Sequence, residues 1–183
     1  VFVTDTERPS VLSVTREALT RARFSTQPPF IHYGNMFTPT AFQGEITPEM
    51  ITGVIHDNAK SLAVSGISAL ETWLAELSRW GATGDWHWTT RFAYQIIEKR
   101  GTGGGGFRKM YAEFLDEAVH YDASVQQYRL PLLMRACEKA WTALAMCLKS
   151  ASESTNFPYA AIEEAIVAVM QAERNYTDAA LAL

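Results

Sequence analysis

The sequence contains no apolar run approaching the roughly 20 residues that a membrane-crossing helix requires. Positive charge is not in excess: 16 Lys and Arg stand against 20 Asp and Glu, for a formal charge of −4. Binding driven by neutralising nucleic-acid phosphates or an anionic lipid surface is therefore not the expected activity, and neither nucleic acid nor membrane is an expected partner. Cysteine is scarce. Cys137 and Cys147 supply neither a disulfide framework nor a zinc-type cluster. Ten residues apart in a helical-looking stretch, they would lie about 15 Å from each other, too far to bridge. A reducing, cytoplasmic setting is the expectation. Known phosphate and dinucleotide fingerprints are also missing, and no cofactor is expected.

What is present is enough chain for one domain with a sizeable core and an appendage: 183 residues, of which 48% are hydrophobic. The opening Val1-Phe2-Val3-Thr4-Asp5 reads as the end of a β-strand. A run of this kind calls for partner strands, and the later sequence offers few. The expectation is therefore that these residues are the rear portion of a longer molecule. Leu12 to Arg23 reads as a short helix with Ser13 as N-cap. Pro28, Pro29, Gly34, Pro39 and Gly44 then interrupt regular structure, while Phe24, Phe30, Tyr33, Phe37 and Phe42 argue against a free linker. Residues 1–45 are thus expected to form an extended, strand-like N-terminal arm.

From residue 46 onward the pattern is helical to the end. Thr47-Pro48-Glu49 combines a hydroxyl N-cap, proline in the first turn and an early acid, and predicts a helix to about Ala63. A second begins near Ser65, with Leu70, Trp73, Leu74 and Leu77 on one face. A third starts at Asp85 and carries Trp88, Phe92 and Ile96 as its stripe. After Gly101–Gly106, a fourth sets Phe107, Met110, Tyr111, Phe114, Leu115 and Ala118 on one side. A fifth spans about Leu130 to Lys149, and a sixth carries Ile162, Ile166, Val169, Met170 and Tyr176 inward. The fold class predicted is all-α: a bundle of about five or six helices over residues 46–183.

Several constellations could carry chemistry. The run Gly101-Thr102-Gly103-Gly104-Gly105-Gly106 leads into a helix start whose free N–H groups favour an anion, and Arg108 and Lys109 add positive charge. Such a start could hold a phosphate or carboxylate. It could equally be a connector that lets helices pack closely. Glu117 and His120 form a Glu-x-x-His pair on one helical face, but the second such motif that a di-iron bundle needs is missing, so no metal is expected. His56 and Asp57, adjacent on a helix, point apart. Both cysteines occupy apolar helix positions, where a thiol behaves as a small hydrophobe.

One resemblance extends this reading. Gly103-Gly104-Gly105-Gly106-Phe107-Arg108, with Tyr111, Phe114-Leu115 and Glu117-Ala118, resembles a pattern of a helical domain of unknown function. That domain follows the N-terminal domain of butirosin biosynthesis protein H. The similarity extends over roughly residues 47–180, including the Ile67–Trp80 helix and the surroundings of Trp141 and Glu173. In that family the preceding domain is similar to a C39-type, papain-like cysteine peptidase. By resemblance, Asp5 corresponds to the acid that orients the histidine of a Cys-His-Asp arrangement. The resemblance implies thiol-mediated acyl transfer, with the matching cysteine and histidine not among these residues. The partners it implies are an acyl carrier protein as donor and an amine substrate as acceptor. Arg108 would contact an anionic group, and Tyr111 and Glu117 would form a hydrogen-bonding pair or an amine-binding acid. The alternative is a non-catalytic helical binding or oligomerisation module, with a homo-oligomer as the form an exposed strand end would favour.

Overall fold

The computed structural model describes residues 1–3, 10–27 and 44–183. Asp5 lies outside the described residues, as do the arm positions Phe30, Tyr33, Phe37 and Phe42. The chain falls into two compact units, Val1–Glu45 and Ile46–Leu183.

In the first unit, β1 (Phe2–Val3) does find a partner. It pairs antiparallel with β2 (Leu12–Ser13), Phe2 opposite Ser13 and Val3 opposite Leu12. Leu12 and Ser13 are therefore strand rather than helix, and α1 runs from Arg16 to Arg23. Its cap is Thr15, whose hydroxyl accepts from the Ala18 N–H at 3.1 Å, the contact that Ser13 was expected to make.

The second unit is all-α. Thr47 caps α2 (Pro48–Ser61) through its hydroxyl, which accepts from the Met50 N–H at 3.3 Å. The expected break near Ser65 does not occur. A π-helical turn at Leu62–Gly66 carries α2 directly into α3 (Ile67–Ala82), and the Ile67 N–H reaches the Leu62 carbonyl in the wider i→i+5 pattern. Gly66 suits this turn, because a Cβ there would stand 3.2 Å from Leu62 Cδ2. After α4 (Trp86–Glu98) and the glycine run, a short 3₁₀ turn (Gly105–Phe107) opens α5 (Arg108–Ala118). The short α6 (Ser124–Gln127) precedes the two long helices α7 (Leu130–Ala151) and α8 (Tyr159–Leu181).

α7 is the central element. It packs against α8, α4 and α5, and α8 also covers α2, the π turn and α3. Two clusters fill the interior. One gathers Ile51, Ile55, Leu115, Leu130, Met134 and Tyr176; the other gathers Leu70, Leu77, Leu144, Leu148, Ile162 and Ile166. The α8 stripe expected inward is inward. The α4 stripe is not: Trp88, Phe92 and Ile96 are 55%, 40% and 43% exposed, and α4 buries Thr90, Tyr94 and Ile97 instead. Of the stripe expected on the next helix, Phe107, just before α5, and Met110 are exposed, while Leu115 and Ala118 are buried together with Ala112. No described helix is long and apolar enough to cross a membrane.

Candidate functional site

The site is organised by the way the glycine run ends. Gly101 and Gly103 to Gly106 all have positive φ, and Phe107 follows at 72°. Glycine adopts that conformation without the steric cost a side chain brings. At Gly105 space is short as well, since a Cβ would lie 3.1 Å from the backbone of Glu138 on α7. The loop is pinned at two points. Thr102 Oγ1 donates to the Ile97 carbonyl at 2.7 Å, and the Gly105 N–H donates to Glu98 Oε1 at 3.1 Å. Glu98 Oε1 also accepts from Thr142 Oγ1 on α7 at 2.7 Å. The Gly105 N–H is thus taken up by the chain's own Glu98.

This loop delivers Arg108, the first residue of α5, to the face of α8. Its Nε donates to Glu173 Oε1 at 2.8 Å and its Nη1 to the Gly106 carbonyl at 2.7 Å. The guanidinium lies 5.1 Å from the centre of the Trp141 ring, a cation–π distance. Trp141 in turn donates from Nε1 to the same Glu173 Oε1 at 2.6 Å. One carboxylate oxygen thus ties α5, α7 and α8 together through two charge-assisted hydrogen bonds. Glu173 is the most enclosed member, its side chain 2% exposed against 20% for Arg108. Its other oxygen, Oε2, is buried and has no partner in the described structure.

Beside this group is a cavity of about 290 Å³. The π turn supplies Leu62 and Gly66, α3 supplies Leu70 and Trp73, and Arg108, Trp141 and Glu173 close the other side. Trp73 Nε1 is likewise buried without a partner. A smaller cavity of about 110 Å³ shares Leu62 and Arg108 and adds Asn58, Tyr111 and Met134.

Arg108 therefore lines both cavities and Tyr111 the smaller one. The Tyr111 hydroxyl is taken up by Tyr176, which donates to it at 3.2 Å, and burial pushes the Tyr111 phenol up. Glu117 is exposed, and the hydrogen-bond partner of the Tyr111 hydroxyl is Tyr176. The residue that sequence reasoning missed as a site member is Glu173. Its signal was available: it falls in register with Ile166, Met170, Tyr176 and Ala180 on the buried stripe of α8, where a lone acid needs a partner.

Both cysteine thiols are shifted toward the protonated form. Burial, with the nearby Glu173 carboxylate, pushes the Cys137 thiol up to about 12, and burial also raises Cys147. A thiol held protonated is a poor nucleophile. Among the described residues no group of three or more His, Cys, Asp or Glu side chains is arranged to hold a metal ion.

Residues 17–180 match the model of a protein family described as a domain of unknown function, DUF4872. The chain belongs to this family. The match spans both the glycine run and Glu173, so the whole Arg108–Trp141–Glu173 group lies within the family's domain. No curated protein and no solved structure matches the chain.

Proposed function

We propose that this DUF4872 domain is the substrate-holding part of a butirosin-H-like acyltransferase. The observation that carries the reading is the Arg108–Glu173–Trp141 group in the wall of a cavity of about 290 Å³. Cavities of this order accommodate small organic substrates when a few fixed polar groups orient them. The upward shift of the Cys137 and Cys147 thiols fits a division of labour in which this domain binds and a thiolate elsewhere reacts. In that scheme the thiolate attacks the carbonyl of an acyl thioester on a carrier protein, and the carrier's thiol leaves. An amine then attacks the acyl-enzyme and gives up its proton to the histidine base. The amide is released and the thiolate regenerated. Asp5 would orient that histidine, while Arg108 and Tyr111 would line the substrate's path.

The test uses the protein as encoded, incubated with octanoyl-pantetheine and analysed by peptide mass spectrometry. An octanoyl adduct on a cysteine other than Cys137 and Cys147, discharged by added amine, supports the reading. Absence of an adduct, or an adduct on Cys137 or Cys147, overturns it. Binding without acylation would mark the domain as a non-catalytic binding module instead.

A further inference from the structure

The cavity of about 290 Å³ beside Arg108 owes its space to one irregular turn and two small residues. The π turn at Leu62–Gly66 widens the helix by one residue, and π turns inside longer helices are frequent at functional sites. Gly66 and Ala69 both line the recess, and any larger side chain there would encroach on it. A Cβ at Gly66 would already stand 3.2 Å from Leu62 Cδ2. The recess is half open, with Ala69 exposed and Gly66 and Trp73 half-buried.

Its wall decides what kind of molecule it takes. Leu62, Ile67 and Leu70 give it aliphatic surface, and Trp73 and Trp141 add indole rings. Among the described residues the only charged groups in the wall are Arg108 and Glu173, and these are bonded to each other at 2.8 Å. The guanidinium donates to the Gly106 carbonyl as well. The wall is therefore neutral as a whole, and its charge is spent within the protein rather than offered to an ion. Water in an apolar recess forgoes hydrogen bonds, so hydrocarbon displaces it favourably.

Size sets the length of that hydrocarbon. An apolar cavity of about 150 Å³ takes a six-carbon ring, so nearly twice that volume, half open, takes about ten non-hydrogen atoms. A rigid ligand of that size has to match the outline of the wall, whereas an unbranched chain adapts to it by rotation about its bonds. We infer that this recess binds an unbranched aliphatic chain of about eight carbons, as carried by a medium-chain acyl or alkyl group. The inference deepens the proposed role by naming the kind of acyl group transferred. It rests on that role for the source of the chain and not for the binding itself.

The test titrates 1-butanol, 1-hexanol and 1-octanol into the ¹⁵N-labelled protein, with octanoate and octylammonium as charged counterparts of the last. Binding is followed by the indole N–H resonances, each assigned by its loss in a single Trp→Phe variant. Affinity should rise about tenfold for each two carbons, the transfer value of two methylenes. The neutral and charged octyl compounds should bind alike, because the wall carries no net charge. Trp73 and Trp141, which line the recess, should shift, while Trp86 and Trp88 should stay in place. Ala69→Phe fills the recess from an exposed position, so octanol binding should fall about tenfold or more with the melting temperature nearly unchanged. Affinity independent of chain length, a preference of about tenfold for either charged head, or shifts confined to Trp86 and Trp88 would overturn the inference on the unsubstituted protein alone. Undiminished octanol binding by a folded Ala69→Phe protein would place the chain elsewhere and overturn it as well. Failure of the acylation assay with chain-length selectivity intact would remove the transferase reading and leave this site standing; the reverse pattern would remove the site alone.

Discussion

Arg108 and Glu173 show how a single ion pair can be both structural and a wall of a site. The carboxylate is the deeper partner, and an enclosed charge is tolerated only while its opposite stays in place. Removing one member should therefore be far more damaging than removing both charges. Arg108→Met leaves a buried carboxylate held by Trp141 alone and should cost about 3–5 kcal/mol. The double variant Arg108→Met with Glu173→Gln keeps an acceptor for Trp141 and abolishes the stranded charge. It should recover about 2 kcal/mol of that loss, a coupling of the size that contacting residues show. Urea denaturation of the four proteins of the cycle measures the term directly. Strictly additive losses would mean that the two side chains do not act as a pair.

At the level of helices, the sequence announced most of what the structure contains, and its failures share a physical cause. Apolar spacing alone located the inward faces of α3 and α8, because Leu70 and Leu77, and Ile162 and Ile166, are large, numerous and unambiguous. It mistook the face of α4, where the apolar stripe of Trp88, Phe92 and Ile96 outweighed Thr90, Tyr94 and Ile97. Periodicity reports that a stripe exists, not whether a neighbouring helix covers it. The π turn was equally hidden, since it depends on how α2 and α3 are both held against α8. Glu173 escaped for the same reason: its partners come from α5 and α7, distant in sequence. The glycine run was visible as an anomaly, and of its two readings close packing describes Gly105, against the backbone of Glu138, while the Gly105 N–H is taken by Glu98 of the same chain. Gly105 tests the packing component. Gly105→Ala combines φ of 55° with a Cβ 3.1 Å from Glu138 and should cost about 2–3 kcal/mol. Gly53→Ala, inside α2 with nothing near its Cβ, should stabilise by about 0.5–1 kcal/mol. Thermal melts of the pair give both signs, and a neutral Gly105→Ala would show that the loop yields easily.

For the molecule as a whole, the decisive feature is where the buried side chains come from. Among the described residues, both core clusters are built from residues at or beyond Ile51, within the unit that starts at Ile46. α1, by contrast, buries no residue, and the β1–β2 pair consists of two residues on each side. A two-stranded pair of that length has little stability of its own, whereas a helical unit that buries leucine, isoleucine and tyrosine from several helices has an independent core. Residues 46–183 should therefore fold when produced alone. Their far-ultraviolet circular dichroism should stay helical, their melting should remain cooperative, and their stability should lie within about 1 kcal/mol of that of residues 1–183. The Trp73 and Trp141 indole resonances should also keep their positions, because every described residue lining the cavity between them belongs to this unit. A truncated protein that melts without cooperativity would show that residues 1–45 contribute to the helical core. One that folds but loses those two resonance positions would show that they shape the cavity.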